Sequence, residues 1–422
     1  MKFWKSFVVM AMALTLILGG CSSSKSNGEA KDGGKVTVTF WDNHIDAEQK
    51  YLKDLVNEYN KSQDKVKVVY KGFNANDYMT TKLPVAFANN EGPDVFMISP
   101  GDFTKYANAG IMADLNPYFP DGAKADFQEA AINAVTIDNK VLALPFESEL
   151  VGLYYNKKML ADAGVEVPKT WDELQAAAKK LTTDKVSGIV LPQEKDAYLN
   201  FIWYPFLWQQ GGNVISEDGK KSNFNSPEVV KALDFWGSFF QKGYAPAKTP
   251  FGSSDIGNLG TGKTAMQVSG TWAISAIESK YSNMDIGLAP LPVSEGGQAK
   301  TVAGGWKLAA NAHGKHVKEA SDFIMWAFAE DPSRPLKWAT EVKFAYPARN
   351  SVIEAGEEIY NKGLRKVFTD EMYDTLTPEP FYGPEIVDVV GDSLQKVMFS
   401  KAKGSDVVKE ADQKIQDALD KQ

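Results

Sequence analysis

From Val36 onward the chain alternates between two hydrophobic periods, and that alternation restricts it to a small set of folds. Val36-Thr37-Val38-Thr39-Phe40-Trp41 is β-branched and alternating, the pattern of a strand. Over residues 45–60 the apolar side chains Leu52, Leu55, Val56 and Tyr59 recur at helical spacing. Val66-Lys67-Val68-Val69-Tyr70 reads as a second strand and residues 78–88 as a helix, despite Pro84. Asp94-Val95-Phe96-Met97-Ile98 is a short strand bounded by Gly92-Pro93 and Pro100-Gly101. Strand, helix, strand, helix, strand is the order of an α/β unit, a mostly parallel sheet flanked by helices.

The alternation resumes after Leu142. Residues 151–155 and 188–191 read as strands, and residues 171–181 as a helix. That helix starts with a capping box, Thr170 as N-cap and Glu173 three residues on. Further helices are expected near 197–210, 226–242 and 315–330, and an amphipathic one at 406–420. No repeat period is visible. At 422 residues the chain can build more than one core. Two α/β lobes without a clean linker are expected, with Leu144-Pro145-Phe146 and Ala289-Pro290-Leu291-Pro292 as strands bridging them.

The N-terminus has a different character. Lys2 and Lys5 precede an apolar run at residues 7–18. That run is about a dozen residues, whereas a membrane-spanning helix needs about 20. Leu18-Gly19-Gly20-Cys21 follows. The series charged, apolar, small is that of a cleaved export signal, here residues 1–20. The four residues resemble the lipobox of bacterial lipoproteins, which implies lipid attachment at Cys21. Residues 21–34 have no apolar face and read as a flexible tether on the order of 20 Å in reach. Cys21 is the sole cysteine, which leaves no disulfide, zinc cluster or cysteine nucleophile for the lobes. The net charge of −8, or −10 once Lys2 and Lys5 are removed, argues against nucleic acid and anionic lipid as partners.

Several chemistries can be weighed from motifs. Gly257-Asn258-Leu259-Gly260-Thr261-Gly262-Lys263-Thr264 fits the phosphate-loop spacing, but that loop works only between a strand and a helix. Here no strand precedes it and Ala265-Met266-Gln267-Val268 is strand-like, so a glycine-rich turn is expected. His313 and His316 lack partners for a metal site. Tyr154 and Tyr155, which could suggest iron ligation, sit mid-strand and point to opposite faces. No metal or cofactor is expected. Glu147 and Glu149 share a strand face, but no opposing carboxylate can be placed to make a hydrolase.

Aromatic residues make up 12% of the chain, with ten Trp, and several stand in polar, glycine-rich surroundings. Trp and Tyr offer flat surfaces to the C–H faces of a sugar, while Asp, Glu and Asn bond its hydroxyls. Trp41-Asp42-Asn43-His44, Phe201-Ile202-Trp203-Tyr204, Gly270-Thr271-Trp272 and Gly304-Gly305-Trp306 all fall at element ends or in loops. There α/β sheets place their ligands. Trp41, Asn43, His44, Trp203, Gly305 and Trp306 are candidate ligand contacts on this ground.

Five stretches together carry a family resemblance. They are Gly92-Pro93-Asp94-Val95 with Ala109-Gly110-Ile111-Met112-Ala113-Asp114-Leu115, and Ala143-Leu144-Pro145-Phe146 followed by Tyr155-Asn156-Lys157. Next come Pro168-Lys169-Thr170-Trp171-Asp172-Glu173-Leu174, and Gly262-Lys263-Thr264-Ala265-Met266 running to Gly270-Thr271-Trp272. The last is Ala289-Pro290-Leu291-Pro292 with Gly304-Gly305. In this order the chain resembles the carbohydrate-binding extracellular solute-binding proteins, the maltose-binding-like receptors of ABC importers. The resemblance implies a type II periplasmic-binding-protein fold. It implies an N-terminal lobe of 35–147 with 290–338 and a C-terminal lobe of 148–289 with 339–422, joined by a hinge of bridging segments.

It also implies a carbohydrate, with an oligosaccharide as the expected form, held between the lobes of a monomer that delivers it to a membrane permease. Trp272 resembles the family's stacking tryptophan, Glu149 a hinge-proximal acidic contact, Tyr204-Pro205 the start of the sugar-binding helix and Tyr382 a late stacking aromatic. Asn43 and Asp102 fall in first-lobe loops that supply polar contacts. Ile98 stands near the place of the maltose receptor's first-lobe tryptophan, a departure that bears on maltodextrin specificity. A same-fold receptor for a polyamine, iron or another solute is the alternative, with a surface glycoside hydrolase or lyase using Glu147 and Glu149 behind it.

Overall fold

The computed structural model describes residues 34–74 and 77–421. The expected signal peptide, Cys21 and nearly all of the tether lie outside the described residues. Among the described residues no helix is long and apolar enough to cross a membrane.

The first half of the alternation folds into a five-stranded sheet. Its order is Val66–Gly72, Val36–Asp42, Val95–Ile98, Lys307–Ala310, Leu144–Pro145. Val36–Asp42 runs parallel to Val66–Gly72 from Val36 opposite Val66 to Asp42 opposite Gly72. It is also parallel to Val95–Ile98, with Phe40 opposite Val95. Val38, Phe40 and Asp42 face inward, as period two requires. Helix Asp46–Ser62 lays Leu52, Leu55, Val56 and Tyr59 on this sheet. Residues 78–88 are not one α-helix: a π-turn, Tyr78–Lys82, runs into the α-helix Leu83–Ala88. The switch puts Pro84 in the first turn of the new helix, where its missing N–H costs no bond.

A second, four-stranded sheet has the order Ile286–Ala289, Val151–Asn156, Thr264–Gly270, Ser187–Val190. Of its pairings only Thr264–Gly270 with Ser187–Val190 is parallel. Both sheets are therefore more mixed than the expected, mostly parallel ones. The reason is where the strands come from. Lys307–Ala310 and Val151–Asn156 each follow directly on a segment arriving from the other sheet. Such a strand needs no crossover helix and can enter from the opposite end.

The two sheets are joined by short pairings. Glu147–Ser148 pairs with Tyr346–Pro347, Thr301–Ala303 with Leu376–Pro378, and Leu150 bridges to Ala303. The expected bridge at 144–146 is placed next to one of these. The expected bridge at 289–292 is not: Leu291 packs in the second sheet's core and Val293 bridges to Thr170. Pro290 and Pro292 end the strand Ile286–Ala289 rather than carrying the chain across. Trp338, Val342 and Ala348 pack with the first core, while Phe344 and Tyr346 join a cluster behind the second sheet. The strands that pair between the two sheets are thus Glu147–Ser148 with Tyr346–Pro347 and Thr301–Ala303 with Leu376–Pro378.

The core of the second sheet is rich in aromatics. Helix Ala197–Trp208 is apolar nearly all round and is buried on nearly every side. Thr170 and Glu173 make the capping box as read: Glu173 N donates to Thr170 Oγ1 (3.2 Å) and Thr170 N to Glu173 Oε2 (3.0 Å). The stretch with phosphate-loop spacing is a single helical turn, Gly257–Gly260, followed by the strand Thr264–Gly270, the reverse of strand then helix.

Candidate functional site

Where the first sheet meets the crossings, a buried charge network forms. Strand Val36–Asp42 ends on Asp42, whose carboxylate accepts from Tyr70 Oη (2.5 Å) and from His44 N (3.1 Å). His44 Nδ1 lies 2.6 Å from Asp42 Oδ1. Burial and the Lys343 ammonium oppose charge on His44, yet Asp42 prevails and raises its pKa. His44 stands edge-on to Trp338 at 5.1 Å and to Trp306 at 6.1 Å.

Lys343, 2% exposed, is the hub of the network. Its Nζ lies 3.0 Å from Glu147 Oε1, 2.7 Å from Glu149 Oε1 and 3.3 Å from His44 Nε2. Glu147 also accepts from Trp338 Nε1 (2.7 Å) and from the backbone N–H of Trp306 (3.2 Å). Burial works against its charge, but Lys343 and His44 hold the Glu147 carboxyl below its ordinary range. With both oxygens engaged, Glu147 is a poor general acid. Glu149 differs. Burial pushes its carboxyl up to about 7, with Lys343 opposing and Glu147 adding to the rise. Gly305 makes the close approach possible: its φ is +103°, and a Cβ there would sit 2.4 Å from the Glu147 carbonyl oxygen.

A second group forms where the two bodies face each other. Helix Pro100–Asn108 starts on Ser99, whose Oγ donates to Asp102 Oδ2 (3.0 Å). Gly101 in its first turn is close-packed: a Cβ there would lie 2.9 Å from Ala197 Cβ and 3.3 Å from Glu379 Oε1. Glu379 is buried between this glycine, Gly304 and Lys307, and its backbone N–H donates to Ala303 O (3.0 Å). Burial pushes the Glu379 carboxyl up to about 8, Lys307 opposing and Asp102 and Glu149 adding. Burial likewise lowers Lys307 to about 8 and raises Asp196 to about 6. Lys307 Nζ donates to the Gly305 carbonyl.

An aromatic wall adjoins these carboxylates. Trp272, half-buried, lies over Gly270 and donates from Nε1 to Ser254 O (3.2 Å). Tyr198 and Phe201 face it with ring centroids at 6.0 and 6.3 Å. Phe201 reaches the crossing at Gly304, where a Cβ would touch its ring at 2.4 Å. Among the described residues Tyr198 Oη has no hydrogen-bond partner, and burial, followed by Asp196, Glu149 and Glu194, disfavours its ionisation.

The sequence candidates divide accordingly. His44, Glu149, Gly305 and Trp306 come together around Lys343, and Asp102 and Trp272 belong to the facing group. Asn43 is buried beside the network, and among the described residues its Oδ1 has no hydrogen-bond partner. Trp41 points to the opposite strand face from Asp42 and packs on Phe73 at 4.8 Å, beneath Lys71. Trp203 is a correction: it is fully buried in the second core, with Nε1 on Ala232 O (3.4 Å). Tyr204 is buried beside it, stacked on Trp208 at 5.6 Å. The helix runs from Ala197, so Tyr198 and Phe201, not Trp203 and Tyr204, fall on the turn that meets Trp272. Tyr382 is also core-facing, its Oη donating to Asn213 Oδ1 (2.9 Å). Its neighbour Phe381 turns the other way and stacks on Phe103 at 4.9 Å. Sequence reading missed Glu379, Lys307, Asp196, Tyr198 and Phe201. Helix 197–208 is too uniformly apolar for its phase to set Tyr198 and Phe201 apart, and nothing local marks Glu379.

A family profile described as bacterial extracellular solute-binding protein matches residues 43–332. The chain is 27% identical over 424 residues to the maltodextrin-binding protein of Bacillus subtilis, covering 95% of this chain and 93% of that one. It is 28% identical over 306 residues to the maltotriose-binding protein of Pyrococcus abyssi, covering 71% and 64%. An ABC transporter solute-binding protein of Thermotoga lettingae, solved with α-D-tagatose, superposes with a TM-score of 0.80 at 21% identity, covering 91% and 100%.

Proposed function

The chain belongs to the bacterial extracellular solute-binding protein family and so acts outside the cytoplasm; from that premise we propose that it is a carbohydrate receptor of an ABC importer. The observation that carries the reading is the aromatic wall of Trp272, Tyr198 and Phe201, set against the buried carboxylates of Glu149 and Glu379 and the half-buried one of Asp102. Flat rings beside strong acceptors suit a ring with an apolar face and a hydroxyl rim. The similarity to proteins named for maltodextrin and maltotriose supports a sugar as the solute. The ligand sits between the two bodies, which move about the crossings at Glu147–Ser148, Thr301–Ala303 and Tyr346–Pro347. The lobes divide at these crossings. The protein binds and releases without chemistry, works as a monomer, and passes its ligand to a membrane permease.

Cys21 carries a lipid that holds the receptor beside that permease and raises its effective concentration there. Labelled palmitate incorporated by cells expressing the wild type, and not by Cys21→Ala, is the result that supports the anchor. Tryptophan fluorescence and calorimetry with mono- and oligosaccharides test the receptor itself. Saturable binding, weakened at least about tenfold by Trp272→Ala, is expected. Product formation from an oligosaccharide would instead make it an enzyme.

A further inference from the structure

The two bodies touch directly on either side of the aromatic wall. In the first sheet Val36–Asp42 and Val95–Ile98 are adjacent and parallel, so residues 43–46 and 99–102 leave it side by side. In the second sheet Thr264–Gly270 and Ser187–Val190 are adjacent and parallel, so residues 271–272 and 191–196 do the same. Trp272 follows one strand of that second pair, and helix Ala197–Trp208, with Tyr198 and Phe201, follows the other. Two contacts across the seam join these neighbouring loops and the helices they lead into.

One contact is made by helix Pro100–Asn108, which packs on helices Ala197–Trp208 and Pro384–Phe399 of the other body. At Gly101 there is no room for a side chain, since a Cβ would lie 2.9 Å from Ala197 Cβ. Thr104 Oγ1 donates to Phe381 O (2.7 Å), and the Phe103 ring stacks on Phe381 at 4.9 Å. Phe381 packs on the first core, while the next residue, Tyr382, packs in the second. Consecutive residues thus clasp opposite bodies. The other contact lies beyond Trp272. Lys280 ends helix Ala273–Lys280 and pairs with Asp46, the first residue of helix Asp46–Ser62. Hinge motion that parts the bodies breaks both contacts, so both belong to the closed form.

We propose that these contacts are end stops. Phe381 at one end and the Lys280–Asp46 pair at the other enclose the space in front of Trp272, and the solute is a short saccharide rather than a chain that runs through the cleft. This rests on the carbohydrate reading and narrows it by length. Helix Ala273–Lys280, which separates Trp272 from the second stop, is about 12 Å long. A longer chain has to hold Phe103 and Phe381 apart, so it forgoes the closed-state contacts and is rejected by its ends. The two stops are unequal. Lys280 and Asp46 are half exposed, and such a pair is weak, whereas stacked rings that also carry a hydrogen bond resist separation. Phe381 is therefore the main determinant of length.

Calorimetry on the chain from Cys21 onward tests it with glucose-, xylose-, mannose- and arabinose-based saccharides, each as the mono-, di-, tri- and hexasaccharide. In the series that binds, the best of the three short forms should bind at least about tenfold tighter than the hexasaccharide. Phe381→Ala should bring the hexasaccharide to within about threefold of that short form, with Lys280→Ala moving the ratio the same way but less. Melting curves establish that each variant is folded, and Phe381→Leu, which keeps an apolar side chain but no ring to stack, replaces Phe381→Ala if the latter is not. If the hexasaccharide binds the wild type as tightly as the short forms, or if the folded Phe381 variants leave the ratio unchanged, the end stops are overturned and the carbohydrate reading stands. If no saccharide of any length binds, the carbohydrate reading falls and the end stops with it.

Discussion

At the scale of single residues, the account depends on Lys343. One ammonium compensates two buried carboxylates, and such a group is worth most when it is removed. Lys343→Met should lower stability at pH 7 by about 3–5 kcal/mol in urea unfolding, and adding Glu147→Gln should restore part of that. A loss under about 1 kcal/mol would show the network to be dispensable. Gly305 is the second such residue. With φ at +103° and a Glu147 carbonyl in the way, Gly305→Ala should cost on the order of 1–3 kcal/mol and shift the melting temperature down. An unchanged melting temperature would mean that the crossing relaxes freely. Only part of this was legible from sequence. Glu147 and Glu149 were visible as a pair, but Lys343 lies almost two hundred residues away and nothing around it marks it as buried.

At the scale of elements, the alternation of periods read well because each period reports one buried face. Helix Asp46–Ser62 buries the four residues its spacing singled out, and helix Trp171–Leu181 starts on the expected capping box. Thr170→Ala should therefore cost about 1 kcal/mol, read as a lower urea midpoint, and Thr170→Ser should recover it. Equal stability of all three would mean that the packing of Trp171 on Phe235 at 4.0 Å alone fixes the helix start. Helix Ala197–Trp208 shows where the method ends. It is apolar nearly all round, so its composition marks no outward face; the expected contacts Trp203 and Tyr204 turn into the core, while Tyr198 and Phe201 meet Trp272. At 289–292 the two prolines end the strand Ile286–Ala289, because such residues mark a strand end as readily as a passage between bodies.

At the scale of the whole molecule, the buried acids predict a pH profile. Glu149 at about 7, Asp196 at about 6 and Glu379 at about 8 all hold protons more tightly in the folded chain than in the unfolded one. Between about pH 5 and 8 the native state thus binds more protons, so unfolding becomes easier as pH rises, by up to about 1.4 kcal/mol per pH unit for each titrating group. The raised His44 acts in the same direction, while Asp42 and Glu147, held low, oppose unfolding until acid protonates them. Melting temperatures taken from pH 4 to 9 should peak on the acid side of neutrality, and Glu379→Gln should flatten the decline toward pH 8. A rise in stability from pH 5 to 8 would contradict the assignment.

The proposal that these facing groups hold the solute is addressed most directly by one titration. Calorimetry of the chain from Cys21 onward with a panel of sugars, amino acids, peptides and polyamines should give saturable one-to-one binding to a sugar, greatly weakened by Trp272→Ala. Binding of a non-sugar solute with no response to any sugar would contradict the account.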